Sequence, residues 1–246
     1  MAEIAKGILM GSLWNRLVRR LRRWAGCGWS AREFRHRYAG KPEDVWGYLH
    51  SQPHRDRSDR IFSAFAGRRP QRLLELGCAE GFLTRRLAGL ADEVVACDLS
   101  EVAVQRAQAY CSDLNNVRFL AADVRNRLPD GSFDECLASD VLYYLSPGEI
   151  QLLGQRLRQL LGRTGRLVFA NEWNQGYCDL TAPEAALRCL AKGGHWVCVR
   201  QDNQDLGQGR SHFLAVLKYF VVEECWFLAA CWAEVAKNRQ KLNNSK

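Results

Sequence analysis

The chain has 246 residues, is 47% hydrophobic and holds only six prolines, which fits a globular α/β domain with extensions and leaves no low-complexity tract. No run of about 18 uncharged apolar residues occurs, which argues against a membrane-spanning helix. The net charge of +8 is concentrated at one end: residues 1–40 carry nine Lys/Arg against Glu3 and Glu33, a net +7 that leaves +1 for the rest, so no nucleic-acid partner is expected at the remaining surface.

Ile4, Ile8, Leu13, Leu17, Leu21 and Trp24 recur at helical spacing, with Arg16, Arg19, Arg20 and Arg23 around them. Residues 4–24 therefore read as a basic amphipathic helix. It could pack on the domain or on a second subunit, lie on an anionic membrane surface, or touch nucleic acid or another acidic partner. The arginines follow the short apolar patch of residues 7–14 instead of preceding it, unlike a signal peptide. Ten cysteines run from Cys27 to Cys231 without a C-x-x-C pair, which points to reduced, buried thiols in a cytoplasmic protein and to no metal site. Gly26, Gly28 and Ser30 loosen the chain after this extension. Trp46-Gly47-Tyr48 follows, and then a helix is predicted over Arg57 to Ala66, with Ile61, Phe62 and Phe65 on one side.

Arg72 to Gly81 reads RLLELGCAEG: a buried strand (Leu73, Leu74, Leu76), a bend of small residues, and then a helix from Phe82 to Ala88. Such a strand–turn–helix opens a nucleotide-binding crevice. A dinucleotide site wants a small residue where this chain has Phe82, which disfavours an NAD-type oxidoreductase. The other frame, acid-x-Gly-x-small-x-Gly, is matched by Glu75, Gly77, Ala79 and Gly81, with Cys78 inside the bend. It resembles the first motif of the class I S-adenosylmethionine (SAM) methyltransferases, with Ala79 in place of the pattern's middle glycine. That resemblance implies Glu75, Gly77, Cys78, Ala79 and Gly81 as cofactor-binding residues.

Glu93 to Cys97 is the second strand, ending at Asp98-Leu99-Ser100. Asp98 lies 21 residues beyond Gly77, close to the offset at which an acid reaches ribose hydroxyls, and a carboxylate can accept from both at once. Its competing role is to help Ser100 cap the next helix, Ser100 to Tyr110. Val117 to Leu120 forms a third strand, leading into Asp123-Val124, where the resemblance implies an adenine site: Asp123 accepting from the exocyclic amine and Val124 packing on the ring. Glu135 to Ser139 is the fourth strand, followed by Asp140-Val141-Leu142-Tyr143-Tyr144. With the upstream Trp-Gly element, this segment resembles the nodulation-type N-methyltransferase (NodS-like) family over about residues 40–175. The resemblance implies Ser139 and Leu99 beside the cofactor. It implies residues here beside the transferred methyl. For an amine acceptor a carboxylate, Asp140, could orient it and later take its proton, with Tyr143 as an orienting hydroxyl. The alternatives are that Asp140 caps the following helix and that Tyr143 packs. Glu172 and His195 are second choices for the base.

Glu149 to Leu161 is a helix, Arg166 to Ala170 the fifth strand and Pro183 to Leu190 another helix. His195 to Val199 and Ser211 to Tyr219 are two closing strands joined by a polar connection, Gln201 to Arg210. Residues 225–236 contain one polar residue, Glu234, and read as a helix that must be buried, against the N-terminal helix or a second subunit. The expected fold is thus a Rossmann-like α/β class I methyltransferase: a mostly parallel seven-stranded sheet with a C-terminal antiparallel hairpin. Residues 1–40 form an extension, 41–220 the SAM-binding domain, and 221–246 an apolar helix with a polar tail. The expected function is transfer of a methyl group from SAM to an amine or hydroxyl of a small molecule or glycoconjugate. The alternatives are an NAD-type oxidoreductase and a non-catalytic binding or assembly module. The expected location is cytoplasmic, with residues 4–24 and 225–236 available for a peripheral membrane or homodimer contact.

Overall fold

The computed structural model describes residues 30–174, 180–194, 196–207 and 210–219; the predicted helices at 4–24 and 225–236, and His195, lie outside these residues. Two helices come first, α1 (Ala31–Tyr38) and α2 (Gln52–Ser63). Ser30 caps α1 in a capping box with Glu33. Pro53 sits in the first turn of α2, where its missing N–H costs nothing, so the helix starts a turn before the predicted Arg57.

The sheet then builds in the order β3-β2-β1-β4-β5-β7-β6. Its strands are β1 (Arg72–Leu76), β2 (Glu93–Asp98), β3 (Val117–Ala121), β4 (Glu135–Ser139), β5 (Arg166–Asn174), β6 (Trp196–Gly207) and β7 (Arg210–Tyr219). The first five are parallel, and β7 runs antiparallel between β5 and β6. Between strands lie α3 (Phe82–Leu87), α4 (Glu101–Tyr110), a 3₁₀ turn (Leu142–Tyr144), α5 (Pro147–Leu161) and α6 (Pro183–Gly194). Leu74 and Leu76 of β1 pack into one core with α5 and α6, whereas Leu73 faces the other core with Ile61, Phe65 and Leu87. A strand covered on both faces reads as an unbroken apolar run, which is why β1 was legible.

The polar segment expected to connect the last two strands is itself strand. β6 continues to Gly207, paired with β7 through two register shifts. It is the sheet's edge, so its backbone is satisfied by one neighbour while polar side chains leave on the open side. Asp202 and Gln204 meet Arg60 of α2 at 2.9 and 2.8 Å. No helix among the described residues is long and apolar enough to cross a membrane.

Candidate active site

Strands β1, β2 and β4 end level with one another: Leu76 pairs with Cys97 on one side and Ala138 on the other. The chain leaving each strand turns over a shared cleft. Its floor is the bend after β1. Gly77 has φ 78°, and a Cβ there would come within 2.8 Å of the Val141 side chain, so only glycine fits. Ala79 keeps a left-handed φ of 49°, and Asp140, on the opposite wall, one of 53°. Non-glycine residues held in this region cost roughly 1–2 kcal/mol each and tend to cluster at functional sites.

Asp98 closes β2 beside the bend. One carboxylate oxygen accepts from the Ala79 N–H at 3.0 Å, the other from the Ser100 N–H at 2.8 Å. Burial pushes its pKa above the ordinary carboxylate value, against the pull of those N–H groups. Ser100 itself caps α4 by accepting from Ala103, so the capping task does not fall to Asp98. The carboxylate can still accept from a ribose diol beside these N–H groups. Leu99, Ala122 and Val124 add apolar wall. Asp123 also lines the cleft, but its two oxygens are clasped by Arg125 at 2.8 and 2.7 Å. Burial acts to raise its pKa; Arg125 outweighs it and holds the group below its ordinary value.

The far wall is Ser139, Asp140, Val141, Tyr143 and Tyr144. Here the structure adds a residue that sequence reasoning placed only at the start of a helix. Arg57 of α2, 3% exposed, forms an ion pair with one Asp140 oxygen and donates to Ser139 Oγ at 2.8 Å. The other Asp140 oxygen accepts from the Glu172 N–H at 2.7 Å. Burial raises the Asp140 pKa, while Arg57 and that N–H act to lower it; the net is upward. Tyr143 lies 3.4 Å from Tyr144, hydroxyl to hydroxyl, and burial lifts its pKa. Glu172, one second-choice base, is outside the cleft and pairs with Arg210. His212 lies opposite it in register, is buried, and has its pKa pushed down to about 4 by burial and by Arg57.

Three expected cofactor residues do not line the cleft. Cys78 is buried behind the bend. Gly81, at φ 87°, begins α3 and lets it approach α4: a Cβ there would lie 3.1 Å from the Ala107 Cβ. Glu75 is 1% exposed and accepts from Thr84 Oγ1 at 2.6 Å, tying β1 to α3. Burial raises its pKa to about 7, with Thr84 opposing. A carboxyl whose folded pKa exceeds its unfolded value favours folding at low pH, and the advantage is lost as pH rises from about 4.5 through 7. Glu75→Gln should therefore raise stability by about 3 kcal/mol at pH 8.5 and by under ~1 kcal/mol at pH 5, given ~1.4 kcal/mol per pKa unit. Urea unfolding at the two pH values checks this; an equal effect at both would contradict it.

The roof comes from before the sheet. Phe34 and Tyr38 of α1, with Trp46 and Tyr48, line the cleft, so the expected domain boundary at residue 40 falls inside the site. Trp46 Nε1 donates to the Tyr38 hydroxyl at 2.8 Å. Glu80, in the bend, accepts from the Val45 N–H at 2.9 Å and from Arg106 at 2.7 Å, while Arg106 reaches the Lys41 carbonyl at 2.8 Å. The roof is thus fastened to the same bend that forms the floor. Its signal in the sequence was the density of four aromatics in fifteen residues, 34–48.

Residues 73–165 match the family model described as a methyltransferase domain. Phosphoethanolamine N-methyltransferase 1 of Arabidopsis thaliana is 34% identical over 88 residues, covering 35% of this chain and 18% of that protein. Nodulation protein S of Sinorhizobium fredii is 29% identical over 99 residues, covering 40% and 46%. The chain thus spans about a fifth of the first and about half of the second. The crystal structure of N-methyltransferase NodS from Bradyrhizobium japonicum in complex with S-adenosyl-L-homocysteine (SAH) superposes with a TM-score of 0.68 at 21% identity, over 77% of this chain and 97% of that one. That level of identity establishes the shared fold.

Proposed function

We propose that this chain, whose residues 73–165 form a class I methyltransferase domain resembling NodS, transfers a methyl group from SAM to the amine of a small molecule. The observation that carries the reading is the pairing of a side-chain-poor bend, Gly77 to Ala79, with the Asp98 carboxylate across one cleft. Bound SAM would supply a methyl that is already electrophilic, so the protein's task is alignment and exclusion of water. Asp98 would hold the ribose, Asp123 and Val124 the adenine, and Leu99 and Ser139 the space between. Tyr38 and Trp46 roof the ribose end; the rings near Asp140 enclose the acceptor end. Asp140, with Arg57 on one oxygen, is better suited to orienting an amine than to taking its proton. An amine is favoured over a hydroxyl because it attacks without first losing a proton to a strong base. Both named N-methyltransferase relatives agree with that choice.

The test is transfer of labelled methyl from SAM to a panel of phosphoethanolamine, free-amine glucosamine oligomers and matched hydroxyl compounds. Label on amines alone is expected; label on hydroxyl compounds alone would overturn the amine assignment. The amphipathic pattern of residues 4–24 and the apolar run at 225–236 support a peripheral membrane or homodimer contact on sequence grounds.

A further inference from the structure

Asp123 and Arg125 form one unit in the wall of the cleft. Asp123 Oδ1 accepts from the Arg125 backbone N–H at 3.0 Å and from its Nε at 2.8 Å, and Oδ2 accepts from Nη2 at 2.7 Å, with Asn126 Nδ2 at 3.4 Å. The turn that brings them together is closed by the Asn126 and Arg127 N–H groups on the Asp123 carbonyl, at 2.9 and 2.8 Å. Arg156 of α5 donates to the Arg125 carbonyl and fixes the turn from behind. Both side chains keep an open face, 17% exposed for Arg125 and 23% for Asp123, and both line the cleft beside Val124. Nη1 of Arg125 is not spent on Asp123. The Glu149 carboxylate lies 3.8 Å from it, beyond hydrogen-bond distance, and its other oxygen is held by the Ser146 N–H at 2.7 Å.

We infer that Arg125 is a second adenine-reading residue: it donates to the ring nitrogen beside the exocyclic amine, while Asp123 accepts from the amine itself. Each edge of adenine that carries the amine shows a donor and an acceptor side by side, the amine with N7 on one edge and with N1 on the other. The Asp123–Arg125 pair shows the complement, an acceptor beside a donor, and their mutual hydrogen bonds hold the two at a fixed spacing. An amine that must share this carboxylate with Arg125 is held weakly by it alone. A charged donor to the neighbouring nitrogen makes good that weakness, since hydrogen bonds from an ionised group are the stronger kind. The inference rests on the SAM reading and narrows it to which atoms of the base are read.

Isothermal titration of the full chain compares SAH with its 7-deaza and 1-deaza adenine analogues, each of which lacks one of the two nitrogens. The wild type should bind one analogue about fivefold or more weakly than SAH, the low end of what one lost base contact costs. Arg125→Met should weaken SAH by a similar factor, yet weaken that analogue by less than about twofold, because the nitrogen Arg125 reads is already gone. Equal affinity of the wild type for all three ligands overturns the inference, and that comparison needs no variant to fold. An equal loss for SAH and both analogues in Arg125→Met also overturns it, since Arg125 would then only support Asp123. So does tighter SAH binding by the variant, which would make Arg125 a competitor for the carboxylate. If SAH does not bind the wild type, the SAM reading fails and the inference with it; if SAH binds without preference over the analogues, the SAM reading stands and the inference alone falls.

Discussion

Asp98→Ala should weaken binding of SAM and of SAH alike by more than tenfold, read by titration calorimetry. The physical basis is the loss of an acceptor for two ribose hydroxyls, each charged hydrogen bond contributing roughly 1.5–3 kcal/mol. The substitution also strands the N–H groups of Ala79 and Ser100, which the carboxylate now accepts from, so the bend itself should loosen. Asp98→Asn separates these effects. An amide can still accept through one oxygen, and its affinity should lie between wild type and Asp98→Ala. Equal loss for the two ligands matters, because they differ at the sulfur and share the ribose. A selective loss for SAM would place Asp98 near the sulfonium instead, and unchanged affinity for both would mean that the ribose sits elsewhere.

Arg57→Met should destabilise the fold by about 3 kcal/mol or more, the usual cost of removing one partner from a buried ion pair. Arg57 is 3% exposed and the Asp140 side chain 15%, so solvent cannot replace the guanidinium. Asp140→Asn in the Arg57→Met background should recover much of the loss, because it removes the stranded charge. Arg57→Lys should fall in between, keeping the charge but giving up the planar guanidinium whose Nη2 reaches both Asp140 and Ser139. Urea unfolding of the wild type, Arg57→Met, Asp140→Asn and the double variant measures this coupling. A loss under ~1 kcal/mol for Arg57→Met, or strict additivity in the double variant, would show that the buried pair does not carry this stability.

These two residues also mark what could and could not be read from sequence. Asp98 was legible because it ends an apolar strand at a fixed offset from a bend of small residues, and both signals are local. Asp140 and Tyr143 were legible in position, since they follow the fourth strand. The state of Asp140 was not, because its partner lies 83 residues away on a helix whose apolar stripe drew attention to Ile61 and Phe65 instead. Glu75 and Gly81 satisfy the motif pattern and also make contacts that the pattern does not announce: one ties β1 to α3, the other admits α4. The rings of the roof sit on a short polar helix and an irregular segment, where no periodicity gathers them into a unit. The polar half of β6 was read as a connection for the complementary reason, since an edge strand need not be apolar to pair.

The most direct test of the account is a crystal structure of the protein with SAH. The account predicts the ribose hydroxyls about 2.6–3.0 Å from the Asp98 carboxylate, the backbone of Gly77 to Ala79 against the ligand, and the sulfur turned toward Ser139 and Tyr143. SAH bound away from Asp98, or a cleft filled by the protein's own Trp46 and Tyr38 side chains with no ligand in it, would contradict it.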